Sequence, residues 1–218
     1  MLVVALAPVV GGAFSQRAAE ARWVDLVRAA PAGGGEASAG DLYRPMDGLD
    51  FKLSVPRAGY SEVVREGVGL DVLAMGPGHY PQSAWPGQRG DVGLAAHNVY
   101  WLRLGDLVAG DAIILDTRYG SFRYRVTGTR IVSPTDAWVL RPEADRQLTL
   151  TTCWPLWAGE FATRRLAIFA RQETPSLPRE VGGVPGGAGG GGSAESASFQ
   201  DLGLGAGGMT WRNLTTGE

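Results

Sequence analysis

Residues 148–155 read LTLTTCWP, and they hold the only cysteine of the chain, Cys153. Leu148 and Leu150 alternate with Thr149 and Thr151, the period of two expected of a β-strand. On that period Leu148, Leu150 and Thr152 share a core-facing side, while Thr149, Thr151 and Cys153 point the other way, onto a more polar face. Pro155 can donate no ladder hydrogen bond and ends the strand. The thiol therefore stands at a strand terminus beside a loop and off the leucine face. Two readings fit that position: a small buried hydrophobe, or a nucleophile within reach of substrate.

The neighbouring sequence has the same texture. From about Leu49 to Gln172, β-branched runs such as FKLSVP, VGLAAHN, AIILDT, FRYRVTGTRIV and LAIFARQ are separated by Gly, Pro and Asp. DTRYGSFRYRV reads as a hairpin turning at Tyr119-Gly120. Strands this closely spaced leave little room for helices and imply an all-β barrel or sandwich. Only GYSEVVREG (59–67) and VLRPEAD (139–145) are expected to form short helical turns.

The flanks differ. Residues 15–30, rich in Ala, Leu, Glu and Arg, read as a helix that stops at Pro31. The expected organisation is an N-terminal segment over 1–30, a Gly-rich linker over 31–47, a β-domain over 48–173 and a tail over 174–218. Eight of the eleven residues 182–192 are glycine, a composition that cannot build a core, so the tail is expected to be disordered.

A formal net charge of −2, with basic residues scattered rather than clustered, argues against nucleic-acid binding. One cysteine cannot form an internal disulfide. Residues 1–14 (MLVVALAPVVGGAF) carry no charge. They are shorter than the ~20 residues of a membrane span and lack the basic start of a signal peptide. They read as either the end of a signal anchor or a short buried helix.

A free thiol near pKa ~8.5 is only about 3% thiolate at pH 7, so a catalytic cysteine needs a base or a nearby cation. The chain has two histidines, His97 at the end of the strand-like run GDVGLAAHN and His79 in the loop GPGHYP. Each also fits a hydrogen-bonded structural role. Downstream of the cysteine, Arg164 and Arg165 open a strand. By alternation Arg165 shares a face with Ala167 and Phe169, and a one-residue slip would put Arg164 there instead. Either arginine could stabilise a developing oxyanion or be a solvated surface charge. Two histidines and one cysteine make no zinc set, and no cofactor or metal is expected.

Taken together, these elements resemble the sortase family. The carriers are Thr149-Leu150-Thr151-Thr152-Cys153, the histidine closing an earlier strand, the arginine opening the strand after the cysteine, Leu107-Val108-Ala109-Gly110-Asp111 before a strand, and Pro86-Gly87 with Gly90-Asp91-Val92 approaching His97. The resemblance spans about residues 48–172, and the Cys153–Arg165 spacing looks most like classes D and E. Ala96 and Asn98 flank His97 where many members have Gly and Arg, and the segment after His97 is short.

The resemblance implies a closed eight-stranded β-barrel on the outer face of a Gram-positive cell membrane, anchored through the N-terminus. It implies a cysteine transpeptidase with Cys153 as nucleophile, His97 as general acid and base, and Arg165 holding carbonyls and the oxyanion. Thr152, Trp154 and Arg164 are candidates for contact with substrate, and Trp157 either lines the groove or packs its loop. The implied partners are proteins bearing an Leu-Pro-x-Thr-Gly-like sorting signal and an amine acceptor, a peptidoglycan precursor or a pilin lysine. A related thiol hydrolase and a non-catalytic surface barrel are the competing readings.

Overall fold

A computed structural model describes residues 2–29, 42–141 and 144–173. Most of the expected linker and the whole tail from residue 174 lie outside the described residues. Eight strands form the architecture: β1 (Leu49–Val55), β2 (Tyr60–Glu66), β3 (Gly78–His79), β4 (Gly90–Ala95), β5 (Ala112–Thr117), β6 (Gly120–Val132), β7 (Arg146–Trp154) and β8 (Arg164–Gln172). They close into a barrel in the order β1-β2-β3-β4-β7-β8-β6-β5, with β5 returning to β1. The β2/β3 and β4/β7 pairs are parallel and the others antiparallel. Closure leaves few strand edges for unwanted pairing.

Alternation decides what fills the barrel. Phe51 and Leu53, Val92 and Leu94, Leu148 and Leu150, Leu166 and Ile168, with Phe122 and Tyr124, point inward and are buried in one cluster. Each fully buried side chain of this size contributes roughly 1.5–3 kcal/mol. The opposite face of β7 is not solvated, in contrast to the polar face read from its threonines. Thr149 and Thr151 are each 1% exposed. A second apolar layer of Val68, Leu73, Ala95, Val132, Val139 and Ala167 accounts for this. A bulge in β6 between Val126 and Gly128 shifts its register, so that Val132 pairs with Arg165 and joins that outer layer.

The hairpin turn at Tyr119 forms as read, with the Thr117 hydroxyl donating to the Gly120 carbonyl at 2.8 Å. The expected helical turn over 59–67 is instead β2. Its backbone groups pair with β1 and β3, which overrides the local helical pattern. A 3-10 turn over Ala137–Leu140 covers the start of the other expected helical turn.

The N-terminal segment is one helix, α1 (Leu2–Ala29). Gly12, Gln16, Ala19 and Trp23 recur at spacings of four and three and form its buried stripe, which faces β1 and β2. Exposed ion pairs from Arg22 to Asp47 and from Lys52 to Glu20 flank that stripe. Among the described residues, no helix is long and apolar enough to cross a membrane.

Candidate active site

Register brings three side chains abreast. The parallel β4/β7 pair sets Ala95 opposite Thr151, and the contact continues where the Ala96 N–H donates to the Thr151 carbonyl at 3.3 Å. Two residues further along each chain are His97 and Cys153, on the same outer face. On the other side of β7, the antiparallel β8 places Arg165 directly opposite Cys153. Adjacent strands lie about 4.8 Å apart, so His97, Cys153 and Arg165 occupy neighbouring positions on three adjacent chain segments. They line one small cleft with Leu73, Ala95, Ala96, Thr151 and Thr152.

The thiol is 7% exposed and Arg165 2%. Burial pushes the Cys153 thiol above its ordinary value, and the Arg165 charge only partly offsets that rise. Burial lowers the His97 imidazole, and Arg165 lowers it further. At neutral pH the resting site therefore holds a neutral thiol and a neutral imidazole beside a fixed cation. A neutral thiol in this position could attack a carbonyl only if its proton moved as sulfur did.

The remaining sequence candidates fall in different places. The Thr152 hydroxyl donates to the Ala96 carbonyl at 2.8 Å, so it pins the end of β4 and thereby the approach to His97. Arg164 is paired with Trp154, one register position away from the thiol, and its Nε donates to the Val132 carbonyl at 3.1 Å. Trp154 is half-buried against the main core and does not line the cleft. Trp157 does not pack its loop onto the barrel, being 84% exposed.

His79 is on β3 inside the barrel, not in the cleft. Its Nδ1 lies 2.7 Å from Asp50 Oδ2 and its Nε2 3.1 Å from the Ala84 carbonyl. Asp50 is the extra residue of a bulge in β1, where Leu49 pairs with Arg65 and Phe51 with Val64. The bulge turns that carboxyl inward.

Two residues near the cleft take roles that the sequence did not assign to them. Asn98 is 3% exposed, and its amide donates to the Gly159 carbonyl at 3.2 Å and to the Pro155 carbonyl at 3.5 Å. It ties the turn after His97 to the loop after Cys153. Tyr80 places its hydroxyl 3.5 Å from the Thr151 hydroxyl and feels the charge of Arg165. An Asn immediately after the candidate histidine was a usable signal for the first. Nothing local marked the second, because its neighbours come from β7 and β8. Among the described residues, no group of three or more His, Cys, Asp or Glu side chains could hold a metal ion.

The closed barrel thus brings a cysteine, a histidine and an arginine together at the ends of three adjacent chain segments. A family model for the sortase domain matches residues 53–173, more than half of the chain, and the protein belongs to the sortase family. Sortase D of Bacillus subtilis is 32% identical over 124 residues, which cover 56% of this chain and 63% of that protein. The chain thus spans just under two thirds of that relative's length.

Among solved structures, the Sortase D5 transpeptidase of Clostridium perfringens superposes with a TM-score of 0.54 at 26% identity, covering 58% of this chain and 79% of that one. Sortase E of Streptomyces avermitilis gives a TM-score of 0.52 at 31% identity, covering 60% and 91%.

Proposed function

We propose that the protein is a cysteine transpeptidase that cleaves an Leu-Pro-x-Thr-Gly-like sorting signal between Thr and Gly and passes the acyl group to an amine. The observation that carries this reading is the shared register of His97, Cys153 and Arg165 on one cleft wall. The Cys153 sulfur would attack the threonine carbonyl carbon while its proton passes to His97. The tetrahedral oxyanion would be held by the Arg165 guanidinium, whose charge does not depend on pH. Collapse breaks the C–N bond, His97 protonates the departing glycine amine, and a thioester remains. The incoming amine then gives its proton to His97 as it attacks the thioester, the C–S bond breaks, and His97 returns that proton to the departing sulfur.

The acceptor class consistent with the family is a peptidoglycan-precursor cross-bridge or a pilin lysine. The proposed working place, consistent with the family, is the outer face of a Gram-positive membrane. The test is turnover of a fluorogenic Leu-Pro-x-Thr-Gly peptide with and without triglycine. The expected result is a peptide–triglycine product and faster turnover with amine present. Cleavage to the free acid alone, unchanged by amine, would reassign the chain as a thiol hydrolase.

A further inference from the structure

α1 contacts the connections that border the cleft as well as the barrel wall. In β2, Arg65 donates its N–H to Pro77 and Gly67 follows by donating to His79, so this edge is paired toward β3. Two residues earlier, Val63 presents its N–H and carbonyl in the same direction, beyond the end of β3. The Gln16 side chain fills that place. Its Oε1 accepts from the Val63 N–H at 3.0 Å and its Nε2 donates to the Val63 carbonyl at 3.2 Å. One side-chain amide thus substitutes for the missing strand, and it is 8% exposed.

The same Nε2 also donates to the Met75 carbonyl at 3.0 Å. Met75 closes the helical turn Leu70–Leu73, and Leu73 is a wall of the cleft that holds Cys153. A second link comes from Tyr100, whose hydroxyl donates to the Ala74 carbonyl at 2.8 Å. The Tyr100 N–H donates to the His97 carbonyl at 3.1 Å, which closes the histidine's own turn. α1 crosses directly over that hydroxyl at Gly12, where a Cβ would sit 2.1 Å from the tyrosine oxygen. Ser15 extends the contact by accepting from Arg65 at 2.8 Å.

We propose that α1 is a working part of the catalytic cleft, with Gln16 and Tyr100 as positioning residues that hold the Leu73 wall and the His97 turn. Neither touches the reacting atoms. Gln16 acts through Leu73, and Tyr100 acts through both Ala74 and His97. The inference rests on the proposed transpeptidase reading of the cleft.

The experiment compares the full chain with Gln16→Leu, Tyr100→Phe and Arg22→Ala, at a temperature where circular dichroism shows each to be folded. Leucine keeps the bulk of Gln16 and removes its amide. Phenylalanine removes a single oxygen. Arg22→Ala breaks only the exposed link between α1 and Asp47. Gln16→Leu is expected to raise KM for the sorting peptide, and Tyr100→Phe to lower kcat, each costing about tenfold in kcat/KM. Arg22→Ala should leave both constants at the wild-type values.

Iodoacetamide labelling of Cys153 gives a readout that needs no peptide. It should speed up several-fold in Gln16→Leu, because a loosened Leu73 wall opens the thiol. Wild-type constants and labelling rates in both Gln16→Leu and Tyr100→Phe would overturn the inference, whatever happens to thermal stability. So would equal losses in Arg22→Ala. If the wild-type chain fails to turn over the peptide, the transpeptidase reading fails, and the labelling rates alone decide the role of α1.

Discussion

Replacing His79 with phenylalanine should damage the fold and leave the chemistry intact. The imidazole lies between Asp50 and the Ala84 carbonyl, and the His79 and Asp50 side chains are 1% and 0% exposed. Removing the ring leaves the Asp50 carboxyl buried and without its hydrogen-bond partner. Breaking a buried pair from one side costs about 3–5 kcal/mol. That is a large share of the roughly 5–15 kcal/mol that stabilises a domain. In a barrel of this size each kcal/mol moves Tm by about 3–5 °C, so the midpoint should fall by roughly 10–25 °C.

The double variant Asp50→Leu with His79→Phe places apolar groups beside Phe51 and Trp85, whose rings already meet His79 edge-on at 5.2 and 5.3 Å. It should recover most of the loss, because a buried pair and its apolar replacement are often close in stability. The assay is thermal unfolding at pH 7, paired with peptide turnover per folded molecule at 20 °C. A loss below about 1 kcal/mol would refute the structural role assigned to the pair. Abolished turnover in folded His79→Phe would show that the wrong histidine has been placed in the mechanism.

Alkylation of Cys153 should inflect above the ordinary thiol value of about 8.5, because burial disfavours the thiolate more than Arg165 favours it. His97 titrates below its ordinary value, so kcat/KM should hold a broad plateau, falling on the acid side as His97 gains a proton and on the basic side as the thiol loses one. A thiol inflection near pH 6 would contradict the neutral resting pair. Arg165→Gln should lower kcat/KM by about 10²–10³. It should also raise both inflections, since the Arg165 charge lowers each of them. Arg164→Gln should change kcat/KM only a few-fold, and the reverse ranking would show that the register has been misread. Asn98→Ala should cost about 1–2 kcal/mol of stability by unlinking Pro155 and Gly159 from the histidine turn, measured by chemical denaturation.

Much of the barrel was legible because its information is local. The alternation of Leu148, Thr149, Leu150 and Thr151 sets the strand, and Pro155 sets its end. Parity within each strand took Cys153 off the leucine face and set Arg165 with Ala167 and Phe169, whereas the pairing of Cys153 with Arg165 comes from the β7/β8 register. The sequence could not show what lies over that face. Val139 and Leu73 arrive from distant connections, so a run read as polar and outward is buried under a second apolar layer.

β2 was misread as helical because its pairing with β1 and β3 is not encoded within residues 59–67 themselves. Gln16 reads as an ordinary polar helix residue until the unpaired edge of β2 is placed beside it. Trp154 was drawn toward the cleft by adjacency to Cys153, although strand parity turns it to the other face, where it packs against the main core.

The central claim is that Cys153 forms a covalent acyl-enzyme. Intact-mass measurement after brief incubation with an Leu-Pro-x-Thr-Gly peptide, in the absence of amine acceptor, tests it most directly. The account predicts an added mass equal to the acyl fragment ending in threonine, located on Cys153, discharged by hydroxylamine and absent in Cys153→Ala. Peptide cleaved at Thr–Gly with no adduct on Cys153, or cleaved equally well by Cys153→Ala, would contradict it.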